Sequence, residues 1–356
     1  MVRTMVRQQR ARNFKLLNQI CGALLSVLFA GNAFAETSAL SLSLPLACEP
    51  GKTCWIASYV DHDPGKGRRD FMCGTATYNV KSKNGLRHQG IDFAIRDLAE
   101  MSKGVDVIAA APGVVAGIRD GMKDISSRTI DIKTLKGKFC GNGIAIKHAN
   151  GFTSQYCHLR QGSITVKQGE RVSRGQKLGL VGLSGFTQYP HLHITVRRNK
   201  NIIDPFVGLN RKQVCGPGGN PLWNAETLAK LPYGPSALYM AGFADEKPQH
   251  QKARGGAYRD ITISRTAPAL VLWVDMFQVY AGDKLTMAII GPNDKTMHKN
   301  IRTMKRNRAR AFSFSGKKRK KGAWPTGPYT GIIQLNRTLN EPGKKVYTIK
   351  RRITVQ

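Results

Sequence analysis

The run Pro190-His191-Leu192-His193-Ile194 places two histidines one residue apart within an apolar setting. In a β-strand both imidazoles point to one face, roughly 6.5–7 Å apart along the backbone, and can converge on one centre. The surrounding sequence supports the strand reading. From about Gly85 to Leu209, short β-prone runs recur at Val105–Ala109, Val114–Ile118, Ile144–Lys147 and Leu178–Val181, punctuated by Gly, Pro, Asn and Asp. That spacing predicts an antiparallel sheet, not βαβ units. Farther along, Leu270–Val274, Lys284–Ile290, Thr330–Leu335 and Lys345–Lys350 alternate with turn signals at Gly291–Asp294 and Gly327-Pro328. About a hundred residues of short strands predict a β-sandwich of immunoglobulin-like size, without the Cys…Trp…Cys pattern of antibody domains. The expected fold class is therefore mainly β: an antiparallel-sheet domain over 84–212, a linker over 213–235 that carries a short helix near Ala225–Leu231, and a basic immunoglobulin-like sandwich over 236–356.

The start of the chain reads as a targeting segment. Met1–Lys15 carries five cations and no acid, Leu16–Gly31 is mostly apolar, and Ala33-Phe34-Ala35 has the small residues of a cleavage site. This predicts a secretory signal over 1–35 and an exported protein, periplasmic or extracellular. Its apolar core is shorter than the ~20 residues of a spanning helix, and no later stretch predicts a span. Loss of the five cations lowers the formal charge from +34 to +29. Outside the cytoplasm, nucleic acid is not an expected partner, and wall peptides, wall polymers and lipid headgroups are the anions such a field would concentrate. Composition excludes disorder as a description of the whole chain. Six cysteines remain after Cys21: Cys48, Cys54, Cys73, Cys140, Cys157 and Cys215. An even count in an oxidising compartment favours disulfides. Residues 36–83 hold three of them and read as a disulfide-stapled, irregular extension. The runs Gly143–Lys147 and Thr153–His158 flank a turn at His148–Phe152 and predict a hairpin whose outer ends a Cys140–Cys157 bridge would join. Cys54–Cys73 and Cys48–Cys215 are the expected pairs among the rest.

Three segments carry candidate chemistry: Arg87–Asp92, Tyr156-Cys157-His158-Leu159 and Pro190–Ile194. His88 and Asp92 would lie about 13 Å apart in a straight strand, so sharing an ion requires a bend, which Gly90 permits. Imidazole and carboxylate suit zinc, and a catalytic zinc site has three protein ligands and one open position. His88, Asp92, His191 and His193 are one too many. Spacing alone leaves open a closed four-ligand site or a site in which one strand histidine stays free.

Taken together, the segments from His88 to Pro205 resemble the lysostaphin/LytM-type zinc endopeptidases of bacterial peptidoglycan, with the duplicated hybrid motif fold. The resemblance runs through His88–Asp92, Val107–Val115, Gly141–His148, Tyr156–Leu159, Val166–Gly179 and Pro190–His193. It implies one zinc ion per chain, held by His88, Asp92 and His193, with His158 and His191 as catalytic histidines that do not bind the metal. Two departures stand out: Tyr189 replaces a usual Gly before Pro-His-Leu-His, and Thr195 replaces a common Glu after it. Both are expected to affect the groove or the surroundings of the ligands more than the metal site.

The implied activity is metal-assisted hydrolysis of peptidoglycan peptides; the alternative is a non-catalytic LytM-like wall-binding factor that activates an amidase. Cys157 is a poor nucleophile candidate, because neighbours in a strand point to opposite faces. His148 is expected to be structural, His62 to lie in a solvated turn, and His250 and His298 at the surface. Arg302–Lys321 contains ten cations and no acid. It reads either as a solvated loop or as a tether to anionic envelope polymers.

Overall fold

The computed structural model describes residues 40–63, 67, 69–70, 74, 87–210, 218–231, 237–259, 261–337 and 346–356. The signal-like segment, Cys73, Cys215 and parts of the expected linker lie outside them. The strands in chain order are β1 (Cys54–Ser58), β2 (Ile91–Ile95), β3 (Asp106–Ile108), β4 (Gly113–Arg119), β5 (Asn142–Lys147), β6 (Phe152–Leu159), β7 (Arg171–Val172), β8 (Lys177–Leu180), β9 (His191–Arg198), β10 (Asn201–Ile203), β11 (Ala237–Ala244), β12 (Ala269–Val279), β13 (Lys284–Ile290), β14 (Thr296–Thr303), β15 (Arg308–Lys318), β16 (Gly327–Asn336) and β17 (Val346–Val355). Three helices of six residues each accompany them: α1 (Leu98–Lys103), α2 (Ala225–Lys230) and α3 (His250–Gly255). The protein is thus mainly β, and its named ladders are antiparallel.

The first sheet runs β1-β2-β9-β6-β5-β4-β7, with β10 on β9. One of its faces buries Ile91, Phe93, Ile144, Ile146, Tyr156, Leu192, Ile194 and Val196 in a common core. The other face of β2 and β9 therefore carries Asp92, His191 and His193, since successive side chains alternate. Register sets Asp92 opposite His193 and Ala94 opposite His191. Residues 36–83 were expected to be irregular, but the apolar run Cys54-Trp55-Ile56-Ala57-Ser58 joins the sheet as β1, paired to β2.

The second half forms two sheets, β11-β12-β15 and β14-β13-β16-β17. Their inner faces share one core that includes Leu272, Val274, Met287, Ile289, Tyr329 and Ile333. β12 and β15 thus lie in one sheet and β13 and β16 in the other. A third apolar cluster joins the sandwich to the first sheet. Trp55, Ala57 and Ala94 pack there with Tyr239, Met240, Tyr258, Trp273 and Phe277. Trp55 and Tyr239 meet edge to face at 5.0 Å. The Tyr239 hydroxyl donates to the carbonyls of Ile95 and Arg96, and Gln278 Nε2 donates to the Ala57 carbonyl at 2.9 Å. Full burial of a side chain such as Phe277 contributes roughly 1.5–3 kcal/mol, so this junction is a packed interface rather than a hinge.

Cys140 and Cys157 are bridged, as the hairpin reading requires. Cys157 is therefore no nucleophile. The other expectation fails: Cys48 is bonded to Cys54, which excludes both Cys54–Cys73 and Cys48–Cys215. A tight turn is the reason. The Glu49 carbonyl accepts the Lys52 and Thr53 N–H groups, and Gly51 N–H donates to the Cys54 carbonyl, folding Cys54 back onto Cys48.

Candidate metal centre

His88 stands just ahead of β2 and Asp92 lies within it, with the bend at Gly90 between them. Gly90 is needed for space. A Cβ there would lie 2.3 Å from the Ile194 carbonyl oxygen and 2.7 Å from His193 Nε2. The close approach lets His88 fold over β9. His88 Nε2 lies 3.0 Å from Asp92 Oδ1 and 3.1 Å from His193 Nδ1, and His193 Nδ1 lies 2.8 Å from Asp92 Oδ1. The three donor atoms fall within 4.8 Å of one another. Donors about 2.0–2.2 Å from one tetrahedral ion sit roughly 3.3 Å apart, so two imidazole nitrogens and a carboxylate oxygen at these spacings fit a small divalent cation.

The far nitrogen of each imidazole is held by a defined partner. His88 Nδ1 is 2.5 Å from the Tyr59 carbonyl, supplied by the N-terminal extension. His193 Nε2 is 2.9 Å from Thr195 Oγ1. These contacts aim His88 Nε2 and His193 Nδ1 at the centre, the role such partners play in metal sites. Thr195, where a Glu was the commoner expectation, thus orients His193 from the same strand face.

Two further histidines flank the cluster. His191 Nε2 lies 3.3 Å from Asp92 Oδ1, and its Nδ1 donates to the Tyr189 carbonyl at 2.9 Å. His158 donates Nδ1–H to the Ser184 carbonyl at 2.7 Å. Its ring centroid is 4.7 Å from that of His191 and 6.0 Å from that of His193. The ladder of β5 and β6 shifts register between Asn142 and Gly143, leaving His158 as the extra residue of a bulge with φ +64°. Bulges re-aim side chains, and a left-handed non-Gly residue costs on the order of 1–3 kcal/mol. Sequence gave no sign of it.

Electrostatics follow the packing. Burial raises the Asp92 pKa, but the His88 and His191 charges and the hydrogen bonds of His191 and His193 outweigh it, holding Asp92 well below the usual carboxylate range. Burial, reinforced by repulsion from His191 and His193, pushes His158 well below an ordinary imidazole. His158 is therefore neutral at pH 7, with Nε2 able to accept a proton.

The site opens into a groove of about 370 Å³. It is lined by Ser127, Arg128 and Phe186–Tyr189 and by Arg254, Phe277, Ala309 and Arg310 from the second half of the chain. Tyr189 stacks on His191 at 4.5 Å, and the Arg310 guanidinium sits 4.7 Å from the Tyr189 ring. Arg310 belongs to the basic segment expected to act only as a tether, so part of that segment reaches the site. Arg302 lies on β14 and Arg308–Lys318 form β15, which replaces the loop reading with strands. His148 is structural, bonded to the Pro112 carbonyl and Ser154 Oγ at 2.7 Å each. His62 departs from expectation: its Nε2 lies 2.7 Å from Asp204 Oδ2. His298 is half-buried against Ser315 Oγ at 2.7 Å.

Residues 86–205 match the profile of peptidase family M23. Peptidoglycan DD-endopeptidase ShyA of Vibrio cholerae is 35% identical over 106 residues, which cover 30% of this chain and 19% of that protein. DD-carboxypeptidase/endopeptidase Mpg of Neisseria meningitidis is 33% identical over 118 residues, covering 33% of this chain and 22% of that one. A solved zinc-containing peptidase from Vibrio cholerae is 26% identical at a TM-score of 0.29, covering 42% of this chain and 35% of that chain. The chain spans between 19% and 28% of the length of the first three curated relatives it matches. Among the described residues no helix is long and apolar enough to cross a membrane.

Proposed function

We propose that the chain is a secreted, zinc-dependent endopeptidase that hydrolyses peptide cross-links or stem peptides of bacterial peptidoglycan, in the periplasm or outside the cell. The observation that carries this reading is the convergence of His88, Asp92 and His193 beside two further histidines. The peptidoglycan-acting names of the M23 relatives support the substrate class.

One zinc ion per chain would be held by His88 Nε2, Asp92 Oδ1 and His193 Nδ1. Bound zinc supplies Lewis-acid activation of the scissile carbonyl and of water. The protein's own residues do the rest. His158, neutral and fixed by Ser184, takes up a proton at Nε2. His191, with Nδ1–H committed to the Tyr189 carbonyl, presents Nε2 to the reacting carbonyl and donates there once protonated. Tyr189 and Phe277 limit water on that side of the groove.

The test is digestion of purified peptidoglycan with and without a chelator, followed by mass analysis of the products. Fragments that differ by one hydrolysed peptide bond, lost with chelator and restored by zinc, are the expected result. Intact peptidoglycan together with stimulation of a separate amidase would instead establish the non-catalytic, amidase-activating reading, which the complete histidine and carboxylate set disfavours.

A second part of the proposal concerns anionic envelope polymers. β14 and β15 are edge strands of their sheets. Arg302, Lys305, Arg306, Arg308, Lys317, Lys318, Lys320 and Lys321 are exposed along them and the adjoining turns. A cationic edge resists pairing with another strand and attracts polyanions.

A further inference from the structure

The groove beside His191 carries three guanidiniums. Asp275, fully buried on β12, accepts from Arg254 Nε at 3.1 Å and from Arg310 Nη2 at 2.8 Å. One carboxylate thus compensates two cations. Arg310 gives Nε and Nη2 to this pair and sits over the rings of Tyr189, Tyr239 and Phe277, 4.7 to 5.3 Å away, while its buried Nη1 has no hydrogen-bond partner among the described residues. Arg254 is held through Nε alone, and among the described residues neither of its Nη atoms has a hydrogen-bond partner. In the same lining, Arg128 donates Nε–H to Gln188 Oε1 at 2.9 Å, and its Nη atoms likewise have no partner among the described residues. Both forks line the same groove as Asp92 and His191. Burial, together with repulsion from Arg310 and Arg128, keeps the Arg254 pKa below its ordinary value. Like charges held together at a groove wall favour an anion between them, and a planar fork selects a carboxylate by paired hydrogen bonds.

We propose that Arg128 and Arg254 form a carboxylate-recognition subsite, so that the peptidase selects peptides bearing a free carboxylate close to the scissile bond. The proposal rests on the endopeptidase reading for its consequence in catalysis, but not for the binding itself. It makes the second half of the chain a determinant of specificity, since Arg254 lies on α3, outside the M23 segment. Hydrogen bonds to charged groups contribute enough that loss of one fork lowers affinity by about tenfold to a hundredfold.

The test uses the zinc-loaded full chain and soluble cross-linked muropeptide dimers, either native or with their carboxylates converted to methylamides. The parent should prefer native dimers at least tenfold in kcat/KM, mainly through KM. Arg254→Gln and Arg128→Gln should each bring that preference towards one, with Arg254→Lys recovering part of it. A preference unchanged in both variants, or equal loss on both substrate forms, overturns the subsite. Arg128 is exposed and has no acidic partner, so Arg128→Gln carries the test if Arg254→Gln fails to fold. Calorimetric binding of N-acetylalanine and of N-acetylglutamate α-amide separates an α-carboxylate from a side-chain carboxylate. A parent that binds one of these through Arg254 but cleaves no peptidoglycan retains the subsite and loses the endopeptidase reading. A parent that cleaves dimers without regard to their carboxylates does the opposite.

Discussion

Two buried charged clusters, one in each half of the molecule, solve the same problem differently. In the sandwich, Asp283 and Arg337 are 0% and 2% exposed and pair through both carboxylate oxygens, at 3.1 and 2.9 Å. Arg337 also donates to the Gln278 carbonyl, and its guanidinium lies over the Tyr280 ring. Charge and hydrogen bonds balance within the protein. In the M23 sheet, Asp92 faces nitrogens of His88, His191 and His193 at 3.0, 3.3 and 2.8 Å. That cluster converges imidazole nitrogens and a carboxylate oxygen, a donor set suited to a cation. A bidentate internal ion pair marks a structural element, whereas convergent donors mark a binding site.

The largest expected effect separates the two roles inside the metal cluster. His193→Ala should abolish both zinc binding and peptide cleavage. His191→Ala should retain zinc, measured by metal analysis of the purified protein, and lose about 10²–10⁴-fold in kcat, the scale of general acid–base catalysis. Equal zinc loss from both variants would place His191 among the ligands.

Next in size is the closed pair. Arg337→Met alone leaves Asp283 buried without its cation and should cost about 3–5 kcal/mol in denaturant unfolding. Combining it with Asp283→Leu should recover much of that loss, because a buried pair and apolar residues of similar volume are often equivalent. A single variant as stable as the parent would show that the sandwich cluster is not the balanced unit described above.

The disulfide links the comparison back to the site. Removing Cys140–Cys157 by paired Ser substitutions frees a loop of 17 residues and should lower stability by about 3 kcal/mol. Cleavage should fall as well, because the bond anchors the bulged strand that aims His158. Full activity at temperatures where the fold remains intact would show that the Ser184 contact suffices.

The smallest effect lies at the surface. Neutralising Lys317, Lys318, Lys320 and Lys321 should weaken sacculus binding most at low salt, since screening shortens electrostatic reach to about 8 Å near physiological ionic strength. Cleavage of a small soluble peptide serves as the control. Binding equal to the parent's at every salt concentration would reduce the edge to a solvated surface. Arg319 is left out of this set because it donates to the Ala267 and Gly322 carbonyls and so supports the turn.

Local pattern made much of this protein legible in advance. Alternation in Pro190–Ile194 puts two histidines on one strand face, and the turn between Lys147 and Thr153 brings Cys140 to Cys157. Both are short-range consequences of strand geometry. Gly90 was recognisable as a bend, but its requirement comes from the Ile194 carbonyl, which only the pairing of β2 with β9 brings near. The exposed cations of the second half were equally evident as charge.

Long-range packing decided the remainder. Whether Cys48 bonds to Cys54 depends on a turn closed by backbone hydrogen bonds, which cysteine spacing does not encode. His158 reaches the centre through a bulge, and a one-residue slip of register leaves no trace in composition. Tyr59 reaches the site from the N-terminal extension, and Arg254 and Arg310 reach it only once the sandwich packs on the first sheet. Sequence by itself determined the strand faces, the donor types and the hairpin bridge, because these follow from backbone periodicity and side-chain chemistry. Tertiary structure alone decided which atoms converge and which arginines stay uncommitted, because both depend on surfaces that folding brings together.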